Sequence, residues 1–199
     1  LVVEGRTEFD AIPAAARRLN DLNPTEYKTL EALGVAVIDA QTDAQVAPLG
    51  KFFRDLGKTV FAVFDKQEPA ASAAIKAAVH HSFESAEKGF ENVVLHHTAE
   101  AALRRYALSL VAENAWPNHL IAKTPNAAQT VEQIRDALRQ FFGWAKGSGD
   151  AGDLLGCCTE AEMPQYVRDT LLVIHITVEP PPLPPVPSAA AAPFDDEEL

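Results

Sequence analysis

Three short apolar runs, at residues 1–3, 35–38 and 59–64, alternate with stretches of helical period, and that alternation constrains the fold more than any other feature of the chain. The first run breaks into Glu4-Gly5-Arg6-Thr7-Glu8 and leads to a helix over 8–22. That helix places Phe9, Ile12, Ala15, Ala16 and Leu19 on one face and is closed by Asn23-Pro24. Gly34 precedes a buried strand over 35–39. A second helix over 46–56, with Leu49, Phe52, Phe53 and Leu56 inward, ends at Gly57, and a strand over 59–64 delivers Asp65 at its carboxyl end. Three strands with two crossover helices make a βαβαβ unit with right-handed connections, an α/β fold with a doubly wound parallel sheet.

Past Gln67 the pattern becomes helical, at 69–81, 89–114, 130–142 and 160–178, and strand signals nearly vanish. Residues 171–178 carry a mixed helix and strand signal. The expected organisation is a sheet core over 1–67, a mostly helical lobe over 68–145, return helices over 146–179 that complete the sheet unit, and a Pro- and Ala-rich acidic tail over 180–199. Such a tail cannot build a packed core and is expected to be extended or disordered. A chain of 199 residues buries roughly 70% of its unfolded surface without staples. Its first residue is Leu within an apparent strand, which suggests a piece of a larger protein.

The net charge of −11 argues against binding nucleic acid by simple counterion replacement. An acidic protein engages phosphates when divalent cations bridge the two. The only cysteines, Cys157-Cys158, do not match zinc spacing and fit a reducing, cytoplasmic compartment. No apolar run reaches the ~18 residues that span a bilayer. Walker A spacing is absent, so the chain is not expected to hydrolyse ATP.

The acids point to chemistry. Glu4 and Asp65 end strands that should be parallel, Glu8 lies one turn into the first helix, and ligands of open α/β sheets gather at the carboxyl ends of strands. Two or three carboxylates suffice for Mg2+, which keeps several waters. The bland alternative, solvated turn acids, does not account for their convergence. His80-His81 and His96-His97 lack spaced partners and read as surface or partly buried, and Asp150 and Asp153 read as part of a flexible Gly-rich loop.

The Val3-to-Glu8 motif, the βαβαβ spacing, Phe64-Asp65-Lys66-Gln67 and Gly89-Phe90-Glu91 resemble a Toprim domain, specifically the carboxyl-terminal region of OLD-family (overcoming lysogenization defect) nucleases. The resemblance implies a Toprim, Rossmann-like parallel sheet flanked by helices, with an added mostly helical lobe. It also implies a bacterial DNA endonuclease that nicks or cuts the backbone, following an amino-terminal ABC-type ATPase domain and able to form a homodimer. Glu4, Glu8, Asp65, Gln67 and Glu91 would hold two Mg2+ or Mn2+ ions about 4 Å apart. One ion would activate water, the other would stabilise the leaving 3′ oxygen, and Lys146 would assist. The family's second acid in Asp-x-Asp is Gln67 here, which contributes no charge. Glu91 is the later acid that could restore it, and Glu84, in a similar Phe-Glu step, competes for that role. No tyrosine lies in the acid-bearing turns, since Tyr27, Tyr106 and Tyr166 fall elsewhere, so hydrolysis is favoured over strand passage. Two further readings stand beside it, a receiver-like domain phosphorylated on Asp65 and a non-catalytic Toprim interaction module.

Overall fold

Four parallel strands, each two to four residues long, organise the computed structural model, which describes residues 1–145 and 149–179. They are β1 (Val2–Val3), β2 (Ile38–Asp39), β3 (Phe61–Phe64) and β4 (His81–Glu84), in the order β2-β1-β3-β4. Register pairs Val2 with Ile38 and Ala62, and Val63 with Phe83. The crossovers are α1 (Arg6–Leu22), α2 (Asp43–Asp55) and α3 (Pro69–Ala78). Neighbouring side chains on a strand point to opposite faces, and the core divides accordingly. Val2, Ala62 and Phe64 join Val46 of α2 and Ile75 of α3 in one apolar layer. Val3, Phe61 and Val63 face α1 and the later helices in the other, larger layer. The strand order reverses between β1 and β3, so Glu4 and Asp65 emerge at the switch point where such sheets bind ligands.

The later helices are α4 (Phe90–His97), α5 (Glu100–Ala112), α6 (Val131–Trp144), α7 (Asp150–Gly156) and α8 (Gln165–Val178). α7 lies against α1 at very close range: a Cβ on Gly152 would stand 3.2 Å from both the Ala14 Cβ and the Asp10 carbonyl oxygen.

Several expectations change. Strand signals do not end at residue 67, because β4 forms over 81–84, where the expected helix over 69–81 stops at Ala78. His-Ser-Phe-Glu has no apolar run to announce a strand; pairing with β3 makes it one. The long helix over 89–114 is two helices, because the Ala99 N–H leaves the helical ladder and donates to the Glu162 carbonyl. α2 begins at Asp43 and buries Val46 and Gly50, with Leu49 and Phe53 half-buried. Phe52 and Leu56 are instead 55% and 58% exposed. The inward stripe is set by Gly50, whose lack of a side chain lets Val79 approach; a Cβ there would meet Val79 Cγ1 at 2.6 Å. The strand over 35–39 shortens to Ile38–Asp39. Residues 171–178 are helical, and a short 3-10 turn at Glu160–Glu162, followed by Met163-Pro164, separates them from what precedes. Among the described residues, no helix is long and apolar enough to cross a membrane. The tail over 180–199 lies outside the described residues.

Candidate metal centre at the strand ends

Glu4 continues β1 by donating its N–H to the Val63 carbonyl at 3.2 Å, which fixes its side chain at the switch point. Glu4 Oε2 accepts from the Asp65 N–H at 2.9 Å and from Gln67 Nε2 at 3.0 Å. β1 and β3 are thus joined beyond their last ladder bond by a carboxylate. Gly5 leads directly into α1, putting Glu8 in the first turn, where helix N-termini favour negative charge. Glu8 is only 4% exposed. Burial, and then the charges of Asp65, Glu4 and Glu91, push its carboxyl up to about 8.

Asp65 is held from the far side. Its Oδ2 accepts the Gly89 N–H at 2.6 Å, while its Oδ1 is buried and has no partner among the described residues. Burial foremost, with the Glu4 and Glu91 charges, raises Asp65 to about 6 against the opposing Gly89 N–H and Lys88. Glu91 opens α4 and accepts the Thr7 hydroxyl at 2.6 Å. Thr7 therefore ties the first turn of α1 to the first turn of α4 across the acids.

Glu84 is a different kind of acid. Its two oxygens take Ser72 Oγ at 2.6 Å, Lys76 Nζ at 2.7 Å and the Gln67 N–H at 3.1 Å. Those donors, Lys76 foremost, pull its carboxyl down to about 2. One of these bonds braces the Asp65-to-Gln67 loop and the other two tie Glu84 to α3, so of the two competing acids, Glu91 adjoins the Glu8–Asp65 group and Glu84 stands behind it.

Tyr166 is remote in sequence from every acid-bearing turn, yet α8 carries it to them. Its hydroxyl donates to the Phe83 carbonyl at 2.7 Å. Burial, with the Glu8, Asp65, Glu84 and Glu4 charges, holds the phenol protonated well above its usual range. Neither Tyr166 nor Thr7 carries a local sequence signal, since their roles depend on which helices pack over the strand ends. Lys146 lies outside the described residues.

The histidines take other work. His80 Nδ1 accepts the Val60 N–H at 3.0 Å, and His81 stacks on Phe61. His96 and His97, although adjacent, both reach Glu87 Oε1 at 3.3 Å. Asp150 and Asp153 form the first turn of α7, where a flexible loop was expected. Both cysteines are free, with Cys158 buried and donating to the Leu154 carbonyl.

Among the described residues, no three His, Cys, Asp or Glu side chains already stand in a ligating arrangement. The donor chemistry nonetheless fits a hard divalent cation. The group offers carboxylate oxygens, Glu8 is buried among like charges, and Asp65 Oδ1 is a buried acceptor that no described residue satisfies.

Comparison with known proteins agrees with this architecture. Residues 1–66 match the family model for the overcoming lysogenization defect protein-like TOPRIM domain. Comparison with curated proteins returns no match. Among solved structures, the chain is similar to the C-terminal region of the Burkholderia pseudomallei OLD protein, with a TM-score of 0.59 and 18% identity over 89% of this chain and 96% of that one. It is likewise similar to the C-terminal region of the Xanthomonas campestris pv. campestris OLD protein, with a TM-score of 0.62 and 18% identity over 89% of this chain and 93% of that one. The chain thus has a Toprim-type fold and resembles the C-terminal Toprim region of OLD proteins.

Proposed function

We propose that this chain is the nuclease part of a larger ATPase-nuclease, a Mg2+- or Mn2+-dependent endonuclease that hydrolyses DNA phosphodiester bonds. The observation that carries the reading is the crowding of Glu4, Glu8 and Asp65 at the switch point, with Glu8 buried and Asp65 Oδ1 unsatisfied among the described residues. Carboxylates so placed repel one another unless protonated or joined by a cation. The Toprim match over residues 1–66 supports the choice of a cation.

Glu4, Glu8 and Asp65 would hold the metal, with Gln67 and Glu91 as additional oxygen donors and two ions accommodated if both contribute. Bound there, the metal would supply an activated water and neutralise charge on the scissile phosphate and leaving oxygen. The chain's own groups set the geometry. The Gly89 N–H orients Asp65, while the Asp65 N–H and the Gln67 amide orient Glu4. With its carboxyl pushed up to about 8 by burial, Glu8 holds a proton near neutrality in cation-free protein and would give it up to a bound cation. Hydrolysis adds water oxygen to phosphorus and breaks one P–O ester bond, and the leaving oxygen takes a proton. Lys146 is assigned to that end of the reaction.

The direct test incubates supercoiled plasmid with the purified chain in Mg2+, Mn2+, Ca2+ or EDTA, beside Glu4→Ala and Asp65→Ala. Wild type is expected to nick or linearise in Mn2+ or Mg2+, and each variant to lose more than about 100-fold, since removing a ligand should exceed the effect of removing its support. Intact supercoils in every metal, or variants as active as wild type, sink the proposal. One observation favours a second reading as a non-catalytic module: Gln67 brings no charge to the acids, and its Nε2 donates to Glu4 Oε2. Calorimetric titration with Mn2+ separates the two, because a module without metal chemistry gives no heat that depends on Glu4. The receiver-like reading is disfavoured because β4 is followed by helices, with no fifth strand among the described residues.

A further inference from the structure

Among the described residues, eight lysine and arginine side chains pair with carboxylates. Arg6 pairs with Asp10, Arg17 with Glu31, Lys51 with Asp55 and Arg105 with Glu162, and others follow the same pattern. Lys66 and Lys88 are among those that do not: both side chains are exposed and neither meets a carboxylate among the described residues. Their position is not arbitrary. Lys66 directly follows Asp65, and its N–H donates to the Glu87 carbonyl at 3.0 Å. Lys88 directly precedes Gly89, whose N–H donates to Asp65 Oδ2 at 2.6 Å. These two hydrogen bonds stitch together the two loops that bear the lysines, one loop carrying Asp65 and the other donating to its carboxylate.

A pair of unneutralised ammonium groups on rigid loops beside a carboxylate group suits an anion that is longer than one phosphate. We propose that Lys66 and Lys88 are positioning residues that bind the backbone phosphates flanking the scissile one, so that the substrate is a polynucleotide strand and not a phosphomonoester or single nucleotide. This rests on the nuclease reading above. In a chain of net charge −11, a local cationic pair at the site is the means by which a polyanion is drawn to the acids and not repelled along its length. Exposed ammonium groups act as point charges on phosphates and carry no base specificity.

The alternative is that the lysines merely offset the acids. The two roles separate in a salt series. Fluorescent duplex DNA is titrated with the full chain in Ca2+ at increasing NaCl, and plasmid nicking in Mn2+ is followed as a function of DNA concentration. The proteins compared are wild type, Lys66→Ala/Lys88→Ala, Lys66→Arg/Lys88→Arg and Lys58→Ala, the last carrying an exposed lysine at the opposite, amino end of β3.

The double alanine variant is expected to lower the slope of log affinity against log salt by about two, one per lost phosphate contact. It should raise KM far more than it lowers kcat and leave the calorimetric affinity for Mn2+ within a few-fold of wild type. The arginine pair should restore the slope, and Lys58→Ala should match wild type. If the double alanine variant keeps the slope and KM, or shifts Mn2+ affinity instead, the assignment is overturned while the nuclease reading stands. If wild type neither binds nor cuts DNA, both fall together.

Discussion

The ends of β1 and β3 and the end of β4 lie on the same edge of the sheet and both carry acids, yet they are in opposite electrostatic states. At β4, Glu84 has a lysine, a hydroxyl and a backbone N–H, and its carboxyl sits low. Beyond β1 and β3, Glu8 of α1 and Asp65 are buried beside each other and Glu4, and although Asp65 accepts the Gly89 N–H, both carboxyls sit high. The difference separates two uses of a carboxylate. One whose donors come from the protein is part of the scaffold, and one left among like charges is waiting for a positive partner. A few residues of strand separate the two conditions.

The comparison breaks most visibly at Glu8. Its proton is held by the folded chain but released by the unfolded one between the ordinary carboxylate range and about pH 8. The cation-free protein is therefore most stable at the acidic side of that window and loses stability as pH rises through it, on the order of a few kcal/mol and 10 °C in Tm. Glu8→Gln is expected to flatten that slope relative to wild type, and Mn2+ is expected to restore the wild-type Tm at pH 8 but not that of the variant. Thermal melts with and without Mn2+ across the window decide the matter, and parallel curves for the two proteins would show that Glu8 is not the strained group.

Glu84 should respond in the opposite sense and more weakly. Its stabilisation is present above the ordinary carboxylate range and is lost as pH falls toward about 2. Glu84→Gln is expected to cost about 1 kcal/mol in urea unfolding at neutral pH, because its ion pair with Lys76 is partly exposed. The gap to wild type should close in strong acid. Mn2+ affinity should fall by roughly 10- to 100-fold, the effect expected of a support and not a ligand. A loss as large as that of Asp65→Ala would move Glu84 into the metal-binding group.

The smallest effect belongs to Gln67. Gln67→Asp replaces a donor to Glu4 with a further like charge, so cation-free stability should drop slightly while calorimetric Mn2+ affinity tightens a few-fold. Weaker Mn2+ binding would mean that the Gln67 amide bond to Glu4 organises the site and does not limit it.

Glu4, Glu8 and Asp65 were legible because each follows an apolar run or opens a helix, and local period alone places them at strand and helix ends. β4 was not, because His-Ser-Phe-Glu has no apolar signature and becomes a strand only through pairing with β3. The inward face of α2 was misjudged because Phe52 and Leu56 look like core residues, whereas the contact is organised around Gly50, which has no side chain to advertise it. Thr7, Tyr166 and the Lys66–Lys88 pair were invisible for a related reason: their partners are 84, 83 and some twenty residues away along the chain.

By itself, then, the sequence determined the βαβαβ alternation and which acids stand at the ends of its elements, since both follow from side-chain period and turn chemistry over a few neighbouring residues. The tertiary structure decided which acids share charge and which are paired off. Hydrogen bonds such as Gly89 to Asp65 and Lys76 to Glu84 depend on strand order and helix packing, and burial, which sets the charge state of Glu8, exists only once the helices have closed over it.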